Sequence, residues 1–320
     1  MSKIRNLTRQ EPPALSHQQK SKAPSGLVQV KRISHATFET PDLERQIEYQ
    51  VNVLGLSVAE RERNRAVMKT AAGQLAVVLE RGAAARCTGL AFQVDPAADI
   101  GELQKKLADG GLRAERRNNT VPGIGETLFF QDPNGTDIAL FGQDHLLDED
   151  RTPKGFTPLK LGHLAFKAPD LYQMVNFYAE VLGFRVSDWR KEIFVWMRCG
   201  PDHHTANFAK GNAVKMHHIA FELADRAEIL RACDFLGRNK YQMIWGPGRH
   251  IIGDNIFTYH RDPDGHIIEL YAEMARIDSE ELGYFVPRPW RDDRPYKPTD
   301  WNADTLTNLW GPGPPPGFGD

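Results

Sequence analysis

The stretch Ile33-Ser-His-Ala-Thr-Phe-Glu-Thr-Pro-Asp-Leu43 returns 128 residues later as Leu161-Gly-His-Leu-Ala-Phe-Lys-Ala-Pro-Asp-Leu171. The correspondence continues at the same offset, because Val53-Leu-Gly-Leu56 matches Val181-Leu-Gly-Phe184. A repeat that keeps its spacing over this length indicates two tandem copies of one scaffold.

Each copy itself contains two shorter units. Gly89-Leu-Ala-Phe92 and Asp132-Pro-Asn-Gly135 in the first copy correspond to His218-Ile-Ala-Phe221 and Asp262-Pro-Asp-Gly265 in the second. Every unit begins with a strand-like run, continues with a helical pattern and ends in short strand-like runs separated by turn sequences. The sequence therefore predicts an α+β fold of two tandem domains, each of two βαβββ modules whose sheet curves around a cavity.

Four segments follow from this organisation. We predict a mobile N-terminal arm at 1–29, an N-terminal domain at 30–150, a C-terminal domain at 151–275 and a Pro- and Trp-rich tail at 276–320. The tail holds eight of the 21 prolines, so it cannot form a helix or an inner strand. Its aromatic residues favour a segment that covers the body and could close the active site, and a disordered tail is the alternative.

Composition excludes several classes of protein. The 320 residues, 41% hydrophobic and 26% charged, suit two globular domains. A net charge of −2 gives no field that would favour nucleic acid or an anionic membrane. No apolar run approaches the ~20 residues of a spanning helix, and no signal peptide is visible. Three cysteines without CxxC spacing predict a cytoplasmic protein without a disulfide framework.

Eight of the eleven histidines lie between His163 and His266. Strand alternation and the repeat place His163 and His218 at equivalent positions that face the predicted cavity. Glu269 is a lone carboxylate in an apolar strand, where it is costly unless paired or metal-bound. Two histidines and one carboxylate form a facial triad that suits Fe(II) or Mn(II) and leaves positions open. Ordinary core histidines and a solvated glutamate are the alternative interpretation.

The first copy provides an internal comparison. It has His35, Gly89 and Ala139 at the positions of the three candidate ligands. Only one of three ligand types remains, so we predict that the N-terminal domain binds no metal and is a structural duplicate.

Three segments carry a resemblance to a known family: Gly162-His-Leu-Ala-Phe166, His217-His-Ile-Ala-Phe-Glu222 and Asp262-Pro-Asp-Gly-His-Ile-Ile-Glu-Leu-Tyr271. With the βαβββ repeat, they resemble the type I extradiol ring-cleaving dioxygenases of the vicinal oxygen chelate superfamily, which has the glyoxalase, bleomycin-resistance and dioxygenase fold. The resemblance implies a homo-oligomeric enzyme of aromatic catabolism that inserts both atoms of O2 into a catechol beside its hydroxyls. It implies Fe(II), or Mn(II), held by the candidate triad.

Two further segments match motifs of that family. Asp202-His-His-Thr205 resembles the segment whose second histidine is the acid–base residue, here His204. Gly246-Pro-Gly-Arg-His250, followed by Tyr259, resembles the segment that supplies the remaining active-site histidine and tyrosine. We interpret the other clustered histidines, including His203, as structural.

The substrate pocket is less well defined. Trp196 could form an aromatic wall, although core packing is nearly as good an interpretation. Trp245 stands where family members that take acidic catechols have arginine. In the tail, Arg288, Arg291 and Arg294 could supply a cation to a lid, or form a solvated cluster. We expect a monocyclic or bicyclic catechol. The alternatives are a glyoxalase-like isomerase or epimerase of the same superfamily and a metal-free ligand-sequestering protein.

Overall fold

A computed structural model of the chain describes residues 26–279, 284–285 and 299–318. The N-terminal half runs βαβββ twice, as the repeat predicts. Its elements are β1 (Arg32–Thr40), α1 (Leu43–Tyr49), β2 (Ser57–Arg61), β3 (Arg65–Lys69), β4 (Leu75–Arg81), β5 (Arg86–Gln93), α2 (Ile100–Asp109), β6 (Glu115–Val121), β7 (Ile124–Gln131) and β8 (Asp137–Phe141). A single π-helical turn, Gln50–Leu54, extends α1.

The C-terminal half has the same order of elements. They are β9 (Lys160–Ala168), α3 (Leu171–Glu180), β10 (Arg185–Arg190), β11 (Phe194–Arg198), β12 (Ala206–Lys210), β13 (Lys215–Glu222), α4 (Arg226–Arg238), β14 (Trp245–Arg249), β15 (Ile256–Arg261) and β16 (Ile267–Ala272). In the described parts of the segment after β16 lie three short strands: β17 (Ile277–Ser279), β18 (Tyr284–Phe285) and β19 (Thr299–Trp301).

Each half forms one mixed sheet. The strand order is β2-β3-β4-β1-β5-β8-β7-β6 in the first sheet and β14-β15-β16-β13-β9-β12-β11-β10-β19 in the second. At the centre of each sheet the opening strands of the two modules pair antiparallel, β1 with β5 and β9 with β13. Each opening strand also pairs in parallel with the last strand of its own module. The predicted α+β architecture of four βαβββ modules is confirmed.

Each α-helix begins at an aspartate that accepts a backbone N–H of the first turn, which satisfies a donor that the helix itself cannot. Asp170 has this role in α3. α3 ends at Glu180, and Val181 is its capping residue. Gly183 adopts the left-handed conformation (φ 75°) in the turn that leads into the next strand.

The two halves contact each other through reciprocal polar bonds around a shared apolar core. Tyr178 of α3 donates to Asp132 in the turn before β8, at 3.3 Å. In the reciprocal position, Gln46 of α1 donates to Asp262 before β16, at 3.1 Å. Burial raises the pKa of Asp262 to about 7. Each half therefore uses its first helix to hold the aspartate turn of the other.

Both ends of the described chain lie on the C-terminal half. The N–H groups of Leu27 and Val28 donate to the carbonyls of Glu180 and Val181, and Val28 is buried. The last residues of the predicted arm therefore belong to the body, and residues 1–25 lie outside the described residues. From the tail, β19 adds a parallel strand to β10. No helix in the described part of the chain combines the length and apolarity needed to cross a membrane.

Candidate metal centre

Three adjacent strands at the centre of the second sheet carry the candidate ligands. His163 on β9 pairs with Ala220 on β13, which in turn pairs with Glu269 on β16. On the same β13, His218 pairs with Ala165. Since residues directly opposite each other in a ladder point to the same face, all three candidate ligands lie on one face of the sheet.

The ligand atoms converge in a buried cluster. The Nε2 atom of His163 lies 3.1 Å from Oε2 of Glu269, and that of His218 lies 3.3 Å from the same oxygen. One ligand atom from each residue lies within 4.8 Å of the others. The side chains of His163 and Glu269 are 1% exposed, and that of His218 is 7% exposed. Adjacent ligands of an ion bound at about 2.1 Å are about 3 Å apart, so the spacing fits a divalent metal.

Unsatisfied hydrogen bonding supports the same conclusion. The Nε2 atom of His218 is buried and has no hydrogen-bond partner among the described residues. Burial holds the pKa of His218 well below its usual value, so its imidazole is neutral. Burial would raise the pKa of Glu269, but the facing His163 and hydrogen-bond donors outweigh it, and the pKa is lowered. Neutral imidazole and ionised carboxylate are the forms that bind metal.

A second layer of contacts orients these ligands. Asn255 donates its amide to Oε1 of Glu269 at 2.8 Å, which directs Oε2 toward the histidines. His217 Nδ1 lies 2.7 Å from His218 Nδ1. Strict alternation would place His217 on the helix-covered face, but β13 is irregular between Met216 and His218. Its ring instead contacts Phe318 of the tail, with centroids 5.4 Å apart.

His204 lies beside the cluster at the end of a buried polar chain. Its ring centroid is 4.3 Å from that of His163. Its Nδ1 lies 3.0 Å from Nδ1 of His203, whose Nε2 lies 3.0 Å from Oδ2 of Asp188. Asp188, His203 and His204 are each at most 3% exposed. Oδ1 of Asp188 accepts the backbone N–H of Thr299 from the tail.

The hydrogen bonds from Asp188 through His203 to His204 determine which nitrogen of His204 carries a proton. An ionised carboxylate only accepts, so His203 presents Nε2–H to Asp188, and its Nδ1 is an acceptor. His204 then donates Nδ1–H to His203, which leaves Nε2 as the basic nitrogen. Sequence reasoning interpreted His203 as structural and did not single out Asp188. The available signal in the sequence was an acidic residue within the run Val186-Ser-Asp-Trp189, which leads on from the turn at Gly183.

His250 and Tyr259 lie on the other side of Glu269. His250 Nδ1 donates to the carbonyl of Thr307 at 2.7 Å, so its Nε2 accepts from the Tyr259 hydroxyl at 3.0 Å. That Nε2 lies 3.9 Å from Oε1 of Glu269. Burial raises the pKa of Tyr259 well above its usual value, so the phenol keeps its proton. The Tyr259 ring stacks on Trp245, with centroids 5.4 Å apart and planes inclined by 12°.

The described part of the tail covers this side of the site. Trp245 donates its indole N–H to the carbonyl of Pro312 at 3.1 Å. The Phe318 ring lies 5.2 Å from Trp245 and 5.1 Å from Tyr259. These contacts make the tail part of the wall around the catalytic histidine and tyrosine candidates. The three candidate tail cations, Arg288, Arg291 and Arg294, lie outside the described residues.

Trp196 lies on the face of the second sheet that carries the candidate ligands. On β11 it pairs with Asn207 of β12, which pairs with Ala165 of β9. Ala165 shares its face with His218, so Trp196 lies on the same face two strands further along. Its side chain is half-buried and contacts Phe194, with centroids 4.4 Å apart. A role for Trp196 in substrate contact stays a prediction.

Comparison with known proteins agrees with this architecture. Residues 32–140 and 160–270 match the family model of the Glyoxalase/Bleomycin resistance protein/Dioxygenase superfamily. Metapyrocatechase 2 of Cupriavidus necator is 28% identical over 50% of this chain and 47% of its own length. The manganese-dependent 2,3-dihydroxybiphenyl 1,2-dioxygenase of Geobacillus genomosp. 3 is 23% identical over 90% of this chain and 96% of that protein.

A solved structure extends the likeness to three dimensions. The anaerobic substrate complex of homoprotocatechuate 2,3-dioxygenase from Brevibacterium fuscum, with 3,4-dihydroxyphenylacetate, matches with a TM-score of 0.76 and 26% identity. The match covers 92% of this chain and 93% of that one. The family match includes both tandem sheets and reaches beyond half of the chain. This chain belongs to the Glyoxalase/Bleomycin resistance protein/Dioxygenase superfamily.

Proposed function

We propose that this protein is an extradiol dioxygenase that inserts both atoms of O2 into a catechol, next to its vicinal hydroxyls. The observation that carries the proposal is the buried cluster of two histidines and one glutamate, flanked on the same face by two more histidines and a tyrosine. The named 2,3-dihydroxybiphenyl and homoprotocatechuate dioxygenases support the same class of reaction.

We propose that His163, His218 and Glu269 hold Fe(II), with Mn(II) as the alternative metal. When bound, such an ion supplies Lewis acidity and open positions for the two catechol oxygens and O2. The two neutral imidazoles and the single carboxylate offset only one of its two charges. The site therefore favours an anionic catechol oxygen over a neutral one.

His204 is the proposed acid–base residue. Its Nε2 is basic because His203 accepts the proton on Nδ1, and Asp188 fixes the orientation of His203. Nε2 can take the second catechol proton and later return it, since an imidazole nitrogen is an acceptor when neutral and a donor once protonated. Burial lowers the pKa of His204 well below its usual value, so His204 starts as the base. His203 and Asp188 are positioning residues in this scheme.

Tyr259 and His250 act as a pair toward the substrate. The Tyr259 hydroxyl donates to His250 in the structure, and either residue can hydrogen-bond a catechol oxygen beside Glu269. A phenol that keeps its proton is a donor suited to a substrate anion. The Thr307 carbonyl keeps the His250 proton on Nδ1, which leaves Nε2 as the acceptor for this exchange.

The pocket walls support an aromatic substrate. We propose that Trp196 and Trp245 bound the ring on opposite sides and that the tail acts as a lid. In this proposal the lid also brings the candidate cations Arg288, Arg291 and Arg294. Contacts of the Trp245 and Phe318 rings around Tyr259 support the lid. Such rings favour planar substrates through stacking and edge contacts.

An oxygen electrode and absorbance test the proposal. Protein loaded anaerobically with Fe(II) or Mn(II) is mixed with catechol or 2,3-dihydroxybiphenyl in aerated buffer. We expect one O2 consumed per ring and a yellow ring-opened product. His204→Asn should keep its metal but turn over far more slowly. Stoichiometric metal with no consumption of O2 or catechol would overturn the proposal, and turnover of a glutathione hemithioacetal would support the isomerase alternative.

Two broader properties belong to the same proposal. We propose a cytoplasmic location, which the three free cysteines support, since disulfides are rare in a reducing compartment. We also propose a homo-oligomer, which the family resemblance supports and which sedimentation equilibrium would test.

A further inference from the structure

The N-terminal half contains a cavity where the C-terminal half has its metal cluster. Register shows the equivalence: His35 pairs with Ala91, which pairs with Ala139, as His163 pairs with Ala220 and then Glu269. Gly89 stands at the position of His218. The missing side chains leave a cavity of about 320 Å³, near the lower end of the range for small-molecule sites.

The floor of this cavity is apolar and partly aromatic. A second apolar cluster, separate from the main core, lines the concave face of the first sheet and includes Val78, Val121, Ile124, Ala139 and Phe141. Phe129 packs against this cluster and remains half-buried. Polar residues complete the lining, among them Thr37, Thr88 and Thr127, so the site combines an apolar floor with a polar wall.

His35 is the polar group set into this floor. It is 6% exposed, and its Nδ1 lies 3.1 Å from the Ser34 hydroxyl. Among the described residues its Nε2 has no hydrogen-bond partner, and its side chain lines the cavity. Burial, with the charges of Arg65 and Arg32, lowers the pKa of His35 to about 3, so its imidazole is neutral. A neutral imidazole suits a hydroxyl, which both donates and accepts.

The charges near the opening argue against a charged ligand. Arg65 donates to Glu60 and to the Thr120 carbonyl, at 3.0 and 2.6 Å. Arg117 donates from two nitrogens to the Glu115 carboxylate in a bidentate salt bridge. Its guanidinium lies 4.7 Å from the centroid of the Phe129 ring. Each guanidinium therefore already has an anionic partner.

Further acidic groups lie at the same rim. Glu80 and Asp137 line the cavity and are exposed, so they would repel an anion. Glu80 also lies 3.8 Å from Nε of Arg65, which offsets its attraction for a cation. Arg65 and Arg117 already form ion pairs with glutamates, so the ligand class that fits this cavity is an uncharged molecule.

We propose that the N-terminal half binds an uncharged phenol of one ring, with the hydroxyl on His35 and the ring against the apolar floor beside Phe129. This site is distinct from the proposed catalytic centre and does not depend on oxygenase activity. It gives the half that lacks the triad a binding role in place of a purely structural one.

A fluorine NMR titration of the full chain tests the proposal. The probe is 4-fluorophenol, added to chelator-treated protein. Ala139→Phe fills the cavity and should weaken binding at least tenfold. Ala165→Phe, the matched change on the concave face of the second sheet, should leave this binding intact. If Ala165→Phe abolishes binding and Ala139→Phe does not, the catalytic face is the phenol site and the proposal is wrong.

A second variant and two further probes make the test independent of how well Ala139→Phe folds. His35→Leu keeps the shape of the cavity but removes the hydrogen bond, and should weaken 4-fluorophenol binding about threefold to tenfold. The same change should leave 4-fluorotoluene binding unchanged. 4-Fluorobenzoate should not displace the phenol. Tight binding of the benzoate, or equal phenol affinity in His35→Leu and the wild type, would overturn the proposal.

Discussion

Replacing Asp188 with asparagine should reverse the proton arrangement of the proposed acid–base chain. In the wild type the Asp188 carboxylate accepts from His203, at 3.0 Å, and His204 Nε2 is consequently basic. In Asp188→Asn the new amide N–H can donate to His203 Nε2. His203 then donates from Nδ1, and His204 carries its proton on Nε2. The substitution keeps the shape and the acceptor for Thr299 but turns the base into a donor.

The expected magnitude follows from the burial of the bond. His203 and Asp188 are both fully buried, so their charge-assisted hydrogen bond has no water to replace it. Such bonds contribute about 1.5–3 kcal/mol, and each 1.36 kcal/mol is about tenfold in rate. We therefore expect kcat to fall about tenfold to 150-fold. KM and metal content should change little, because the substitution keeps the shape of the side chain and the acceptor for the Thr299 N–H of the tail.

The assay is steady-state oxygen consumption with a saturating catechol, alongside metal analysis of the same samples. Asp132→Asn is the matched control, because it makes the same substitution at a buried aspartate of the other half. We expect that control to retain the kcat of the wild type. If Asp188→Asn binds metal normally and its kcat lies within twofold of the wild type, the positioning role is refuted.

Three other predictions address metal binding, pH and the tail. His163→Ala should abolish stoichiometric Fe(II) or Mn(II) binding, whereas His35→Ala should retain it; elemental analysis decides, and metal loss in His35→Ala would contradict the assignment. Asp262, whose pKa is raised from 3.8 to about 7, favours the folded state when protonated, so this contribution declines as pH rises from about 4 to 7. Asp262→Asn should escape that decline, so its advantage over the wild type in unfolding free energy, measured with urea, should be about 4 kcal/mol larger at pH 8 than at pH 4. A difference that does not change with pH would refute this. Asn308→Ala removes the acceptor for the backbone N–H groups of Arg249 and Trp310. The change should lower the free energy of unfolding by about 1–3 kcal/mol and raise KM. If urea unfolding and KM are both unchanged, the position of the tail does not depend on these bonds.

The repeat made much of the fold predictable. Matching segments of the two copies were expected to form the same helices and strands. Because side chains alternate between the two faces of a strand, the sequence also indicated which of them share a face. The repeat placed His163 and His218 on equivalent strands, and these strands are β9 and β13. His163, His218 and Glu269 could be grouped for the same reason, because they occupy the central strands of two adjacent modules.

Other parts of the site depend on contacts that local sequence does not encode. Asp188 reaches His203 only because β10 and β12, the strand that follows the His203 loop, lie in one sheet. Asn255 reaches Glu269 from a loop. The partner of His250 Nδ1 is the backbone carbonyl of Thr307, which has no side-chain signature. Proline content excluded helix from the tail but could not indicate which surface it covers.

The central claim is that the triad supports the insertion of both oxygen atoms into a catechol ring. Mass spectrometry of the product formed under ¹⁸O2 by Fe(II)-loaded protein tests it most directly. Our account predicts a ring-opened product in which both atoms of the same O2 molecule are retained. A product with one labelled oxygen or none, or an unopened ring from metal-loaded protein, would contradict it.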